Sequence, residues 1–440
     1  TNTAIVAGLT RNQSDGFDWN SSSGRQLRTN SDYDDISLMV KAYVWPRENV
    51  EITGGFSYID SEYGIPTATE VYRPRYWRFS SWKRLVSSIG ATWLSQSGAS
   101  LDAKAYVVQH ENVLDAFSSS LFDERQWVST YENETTGLLL LYALPSTQRH
   151  SIQGSLSVHH DDVCQQSNSG NAWDISAQET YSLGLEDVYT LGSVWKATAA
   201  IGIDRTEQRL SDDDELFTPV VGVTYEPRDS VDIYLSALHK SRFPSMREQY
   251  GVGGNPDLAS ETAESVEAGF HYKGTPRISG ALFHTKVSDL ITSTRDASGT
   301  ATFANIGEAR ITGGELEAEV HLGPLTLGAG ATLLDTQNQE TRRPLDLLPG
   351  TQFSVHASTE IPYGLSWTVW GVNAAASETT VQGSTVDVPS YTVVHMQLER
   401  AFKHGSVYLK VQNAFDETYV TEPGYPTPAR TFIAGIRLKL

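Results

Sequence analysis

The sequence predicts an all-β chain: a transmembrane antiparallel β-barrel with about 20 strands. Three observations carry that expectation. Apolar and polar residues alternate with a period of two through most of the 440 residues. The breaks between alternating segments are short and long in turn. The last segment keeps its pattern to the end, with Phe432, Ala434, Ile436, Leu438 and Leu440 on one face and Ile433, Gly435, Arg437 and Lys439 on the other. Residues i and i+2 share a face only in an extended chain. A chain end is ordinarily polar and frayed, so this one reads as a strand held in place.

The segments justify themselves in order. In "SVWKATAAIGID", Trp195, Ala197, Ala199, Ile201 and Ile203 oppose Lys196, Thr198, Gly202 and Asp204. In "SVDIYLSAL", Val231, Ile233, Leu235 and Ala237 oppose Asp232, Tyr234 and Ser236. In "GALFHTKV", Ala281, Phe283 and Val287 oppose His284 and Lys286. In "GGELEAEVHL", Leu316, Ala318, Val320 and Leu322 oppose Glu315, Glu317, Glu319 and His321. Tight turns are marked at Pro46, Pro145, Gly192, Pro227, Gly274, Gly323, Pro362 and Gly405. Between them lie longer loops, roughly 13–32, 63–75, 113–125, 165–171, 209–215, 244–260, 292–301, 339–345, 379–389 and 415–428. A barrel with tight turns at one end and long loops at the other gives this rhythm, with lipid on the apolar face and water on the polar one. A soluble propeller should repeat a motif every ~40–45 residues, and none is visible. A soluble sandwich gives no reason for the alternation of short and long connections.

Composition narrows the function classes. A hydrophobic fraction of 39% suits an ordered chain. No run approaches the ~18 apolar residues of a membrane-spanning helix; the longest, around Leu138 to Leu141, ends at a proline. "TNTAIVAGLTRNQ" has neither the basic start nor the apolar stretch of a signal peptide. Lys and Arg number 33 against 53 Asp and Glu, a net charge of −20, which argues against a nucleic-acid partner. Cys164 is the only cysteine, so no internal disulfide can form. No Ser-His-Asp order, paired catalytic carboxylates or phosphate-cradling glycine loop stands out, so the chain reads as no enzyme and calls for no cofactor.

Several stretches carry a more specific signal. They are "SRFPSMREQYGVGGNPDLASETAESVEAG" (Ser241–Gly269), "FANIGEARITGGELEAE" (Phe303–Glu319), "LDLLPGTQFSVHAS" (Leu345–Ser358) and "VQNAFDETYVTEPGYPTPARTF" (Val411–Phe432). "RNQSDGF" (Arg11–Phe17) adds an early strand ending in a Ser-Asp-Gly turn. Together they resemble the barrel of TonB-dependent outer-membrane receptors, strongly in the second half and by periodicity alone in the first. The resemblance implies a barrel of 22 strands in the outer membrane of a Gram-negative bacterium, preceded by a plug domain and a TonB box. The chain departs from the family pattern at its final residue, Leu440, where an aromatic is usual, and at Ala414 and Ala429, which stand for Leu and Gly. It is accordingly expected to be the receptor barrel, 1–440, with the plug and the first hairpin lying upstream. The implied function is TonB-energised uptake of a scarce nutrient, a ferric siderophore first, with cobalamin, haem or a glycan as alternatives and a passive porin as the reading from another class. The implied partners are the nutrient, the TonB complex acting through the plug, lipopolysaccharide and phospholipid.

Ligand recognition falls to the long loops. "VYRPRYWRF" interleaves Arg73, Arg75 and Arg78 with Tyr72, Tyr76 and Trp77. Arginine forks and aromatic faces suit an anionic metal chelate, and equally suit an interfacial girdle touching lipopolysaccharide. Arg73, Arg75, Tyr76, Trp77, Arg78, Tyr250 and Tyr425 are expected over the mouth of the barrel, where a local positive patch must offset the net charge of −20. "HHDDVC" (His159–Cys164) offers metal-ligand types, although neighbours in a strand point to opposite faces. Asp212 to Glu215 could bind calcium or form a solvated loop. Glu315, Glu317 and Glu319 form an acidic lumenal stripe that would face the plug.

Overall fold

A computed structural model describes residues 2–69, 74–208, 214–251, 253–295, 301–381 and 383–438. The chain begins with β1 (Asn2–Ser14) and a small hairpin, β2 (Asp18–Ser21) and β3 (Gly24–Leu27). Next come β4 (Tyr33–Arg47), β5 (Val50–Ile65), β6 (Tyr76–Leu94), β7 (Ser100–Phe117), β8 (Arg125–Ala143) and β9 (His150–Ser167). They are followed by β10 (Asp174–Leu191), β11 (Trp195–Gln208), β12 (Asp214–Arg228), β13 (Val231–Arg242), the short helix α1 (Met246–Tyr250) and β14 (Glu261–Tyr272). After these run β15 (Arg277–Arg295), β16 (Ala301–Leu322), β17 (Leu325–Asn338), β18 (Thr351–Ile361) and β19 (Leu365–Ala374). A second small hairpin, β20 (Ser377–Val381) and β21 (Ser384–Val388), precedes β22 (Tyr391–Phe402), β23 (Gly405–Gln412) and β24 (Thr431–Leu438).

Without the two small hairpins these strands form one 20-stranded antiparallel sheet. Each barrel strand pairs with the next, from β1 on β4 to β23 on β24. Among the described residues no ladder joins β1 to β24, so both keep an open outer edge. The rims beside that seam nevertheless meet: the Ala429 amide donates to the Asp18 carbonyl at 2.8 Å.

The alternation sets the faces. Leu185, Ile201, Val221 and Leu235 are exposed on adjacent strands and form the outer apolar wall. On the final strand Phe432, Ile436 and Leu438 are 66–70% exposed. Arg437, on the opposite face, donates to Glu399 at 2.9 Å and lies over the Tyr408 ring. Lys439 and Leu440 lie outside the described residues. At the tight-turn end Trp195 packs against Tyr225 across the ladder with ring centroids 4.4 Å apart. Trp93 and Tyr142 flank Leu101 on neighbouring strands at the same end. Aromatic rings at this level are suited to the membrane interface.

Two features depart from the sequence reading. A further tight turn, 95–99, separates β6 from β7. Several strands also run past their expected ends: β5 reaches Ile65, β7 reaches Phe117 and β15 reaches Arg295. Above the lipid, water wets both faces of the sheet. The hydrogen-bonded ladder continues there while the apolar-polar alternation fades.

One substitution pair tests the face assignment. Leu185→Arg should cost about 2–4 kcal/mol of barrel stability, the penalty for a cation near the lipid midplane. Glu186→Gln on the lumenal side, where Glu186 accepts from Gln153 at 2.8 Å, should cost under about 1 kcal/mol. Urea-induced unfolding of the barrel in phospholipid vesicles measures both, and equal costs would refute the faces.

Candidate functional site

The long-loop rim is built by three segments that hold one another. The β2–β3 hairpin folds back so that the Arg28 amide donates to the Phe17 carbonyl at 2.8 Å. Asn30 is buried and donates to the carbonyls of Ile65 and Trp77, both at 2.7 Å, so it ties the hairpin to the top of β5 and β6. Gly64 makes this possible, because a Cβ there would collide with the Asn30 side chain and backbone. The last loop, 413–430, comes down on the second: the Thr69 amide donates to the Gly424 carbonyl at 2.9 Å. Gly424 has φ +81°, and a Cβ there would press on Ala68 at 3.0 Å. The last loop is ordered from within by Asn413, which donates to Glu417 and Pro428 carbonyls and accepts from the Glu417 amide.

The sequence-predicted residues divide between the faces of β6. A bulge between Phe79 and Ser81 resets the alternation. Trp77 pairs with Ala116, which pairs with Trp127, and the two indoles meet edge to face at 5.7 Å. Arg75 lies over Trp77 at 4.7 Å, and its carbonyl accepts from Thr67 Oγ1 at 2.9 Å. Tyr76 and Arg78 share the opposite, outward face. Tyr76 meets Phe122 edge to face, and Arg78 holds Asp32 with two hydrogen bonds of 3.0 and 2.6 Å. Arg73 lies outside the described residues. Tyr425 stands in the last loop, 39% exposed, beside Arg28. Tyr250 sits on α1 across the mouth and donates to Gln208 at 2.8 Å. The structure thus gathers Arg75, Trp77 and Tyr425 around the 66–69 segment, turns Tyr76 and Arg78 outward, and leaves Tyr250 on a separate loop.

That separate loop has its own frame. Arg242, closing β13, bridges Glu261 at 2.7 Å and Glu248 at 2.9 Å. Ser245 caps α1 reciprocally with Glu248. Burial pushes the Glu248 carboxyl up, but the hydrogen bonds from Arg242 and Ser245 outweigh it and hold it below the usual carboxylate range.

The other candidates resolve by face. His159 pairs with Asp161 at 3.4 Å, while His160 faces Asp162 at 3.2 Å and Glu179 at 3.5 Å, so the two histidines do not share a ligand. Among the described residues no group of three or more His, Cys, Asp or Glu is placed to hold a metal ion. Asp212 and Asp213 lie outside the described residues, and Asp214 accepts from Ser260 and the Glu215 amide. Of the lumenal stripe, Glu319 stands between His321 at 3.3 Å and His356 at 3.5 Å.

Sequence reasoning missed Arg28, Trp19, Thr67 and Trp127. The signal for the first two was slight: "DWNSSSGRQLR" places a Ser-Gly turn between short segments inside a polar loop, where a hairpin is easily taken for coil.

Residues 2–414 match a sequence-family model described as "TonB dependent receptor-like, beta-barrel". The chain belongs to that family. These receptors are transporters of the Gram-negative outer membrane. Solved structures share the receptor fold. A copper transporter, OprC, superposes with a TM-score of 0.85 at 16% identity over 99% of this chain and 76% of its own. The FrpB iron transporter from Neisseria meningitidis (F3-3 variant) gives 0.82 at 14% identity, over 100% and 77%. The unliganded ferric citrate transporter FecA gives 0.77 at 16% identity, over 99% and 73%. The receptor barrel described here therefore spans about three quarters of each of these chains.

The rim ion pair gives a pH prediction. Hydrogen bonds from Arg78 hold the Asp32 carboxyl below its usual range. A lowered folded value means that the pair stabilises fully above the unfolded carboxylate value of about 3.9 and is lost as pH falls through the folded one. Both side chains are about a third exposed, so Asp32→Asn should cost about 0.5–1 kcal/mol at pH 7. Chaotrope unfolding across pH should show wild type and variant converging as pH falls below about 4.

Proposed function

We propose that this barrel is part of a receptor that takes up a scarce nutrient with energy from TonB, and that the nutrient is a metal chelate of the ferric-siderophore kind. What supports the finer reading is the cluster of Arg75, Trp77 and Tyr425 at the knitted rim. Guanidinium forks and flat aromatic faces bind the oxygen-rich, anionic periphery of such chelates by charge-assisted hydrogen bonds and ring contacts. The structural relatives named above transport copper, iron and ferric citrate. In this reading the TonB complex acts through a plug segment, and the lumenal Glu315, Glu317 and Glu319 face that plug. Tyr76 and Arg78, on the outward face, meet lipopolysaccharide and phospholipid headgroups.

The test is uptake of iron-labelled chelates by the full-length receptor, in cells stripped of their own receptors. Accumulation should stop when TonB is deleted. Arg75→Ala should weaken apparent affinity about tenfold, the scale of one charge-assisted contact, and Arg78→Ala should leave it unchanged. Uptake that persists without TonB would replace this reading with a passive pore.

A further inference from the structure

Several arginines around this rim are held by carboxylates: Arg11 by Asp34, Arg25 by Asp18 and Asp416, Arg78 by Asp32, Arg125 by Asp115, and Arg242 by Glu248 and Glu261. Arg28 is different. It is only 8% exposed, yet among the described residues no carboxylate lies within ion-pairing reach of it. Among the described residues its one side-chain hydrogen bond goes from Nη2 to the Thr67 carbonyl. Its guanidinium lies over the Trp19 ring at 5.4 Å. Burial pushes its pKa below the ordinary arginine value, and the Tyr425 phenol is near enough to act on it electrostatically.

A buried cation without a counter-charge is costly, and a guanidinium carries five N–H donors. None of its nitrogens belongs to the fully enclosed polar atoms that lack a partner, so its unused N–H groups still reach solvent. A desolvated cation that keeps open donors, backed by an indole and flanked by a phenol, is incomplete without an oxyanion. The planar fork matches a carboxylate, which can accept two parallel hydrogen bonds. The setting is also pre-organised. The first loop supplies Arg28 and Trp19, the second supplies Thr67, and the last supplies Tyr425, whose neighbour Gly424 is pinned to Thr69.

We propose that Arg28 and Tyr425 form an oxyanion subsite at the junction of the first, second and last long loops, and that it receives a carboxylate group of the transported ligand. The assignment rests on the reading that this mouth receives a ligand, and it sets the specificity: carboxylate-bearing chelates are preferred to neutral ones. Arg75 then contributes a second, more exposed positive contact on the far side of Thr67.

Titration calorimetry of the purified full-length receptor at low salt tests the subsite separately from transport, with citrate, orthophosphate and glucose as probes. Wild type should bind citrate saturably and glucose not at all. Arg28→Gln should weaken citrate at least tenfold, Arg28→Lys less, Tyr425→Phe about threefold, and Arg78→Gln not measurably. Heat-modifiable electrophoretic mobility checks that each variant folds, and the Tyr425→Phe arm stands if Arg28→Gln does not fold. Three results would each overturn the subsite: no saturable citrate binding by wild type, orthophosphate bound in place of citrate, or citrate affinity unchanged in Arg28→Gln and Tyr425→Phe. Loss of TonB-dependent uptake is read in the cellular assay, so failure of the transport reading remains distinguishable from failure of the subsite.

Discussion

Backbone hydrogen bonding in a medium without water is the constraint on which everything else here depends. In lipid each unpaired N–H or C=O costs several kcal/mol, so every strand that crosses must be paired along its length by its neighbours. Away from the outer edges of β1 and β24, long ladders meet that demand, with 18 residue pairs joining β15 to β16. Because side chains take no part in the ladder, the two faces are free to differ. One became a wall of Leu, Ile and Val, and the other a lining of Glu, His, Gln and Tyr.

The same constraint explains why the two ends of the barrel differ. At the tight-turn end, the strand pairs close with little more than the turn itself, as in β12 to β13 and β16 to β17. At the other end the ladder continues beyond the lipid, and the loops can grow because water satisfies their backbones. Growth alone would give mobile coils. Here side-chain hydrogen bonds fix the backbone instead: Asn30 and Asn413 are buried and saturated by carbonyls, and Arg25 links Asp18 and Asp416. First and last loops are joined at the rim where, among the described residues, no ladder pairs β1 with β24.

Electrostatics at the rim follow from that knitting. The chain is strongly acidic overall, with a net charge of −20, and carboxylates neutralise most of the rim arginines in place. A positive spot can persist only where packing keeps carboxylates away. Among the described residues Arg28 sits in such a place, over the Trp19 ring and against the Thr67 carbonyl. Local geometry decides the charge that a ligand meets, and the net charge does not.

The sequence by itself determined the membrane-facing architecture. The period of two in segments such as Trp195–Ile203 is a direct imprint of lipid on one side and water on the other, and the rhythm of turns gave strand number and polarity. It also carried the family, through "SRFPSMREQY" and the last hairpin. Only the tertiary structure decided the site. The bulge at Phe79 and Ser81 reset the alternation and so decided that Arg78 faces outward and Trp77 inward, which no spacing in "YRPRYWRF" discloses. Arg28, Thr67 and Tyr425 are far apart in the chain and meet because three loops fold onto one another. Alternation is a local property that a strand writes into its own residues. Convergence of loops depends on partners distant in sequence and leaves no periodic trace.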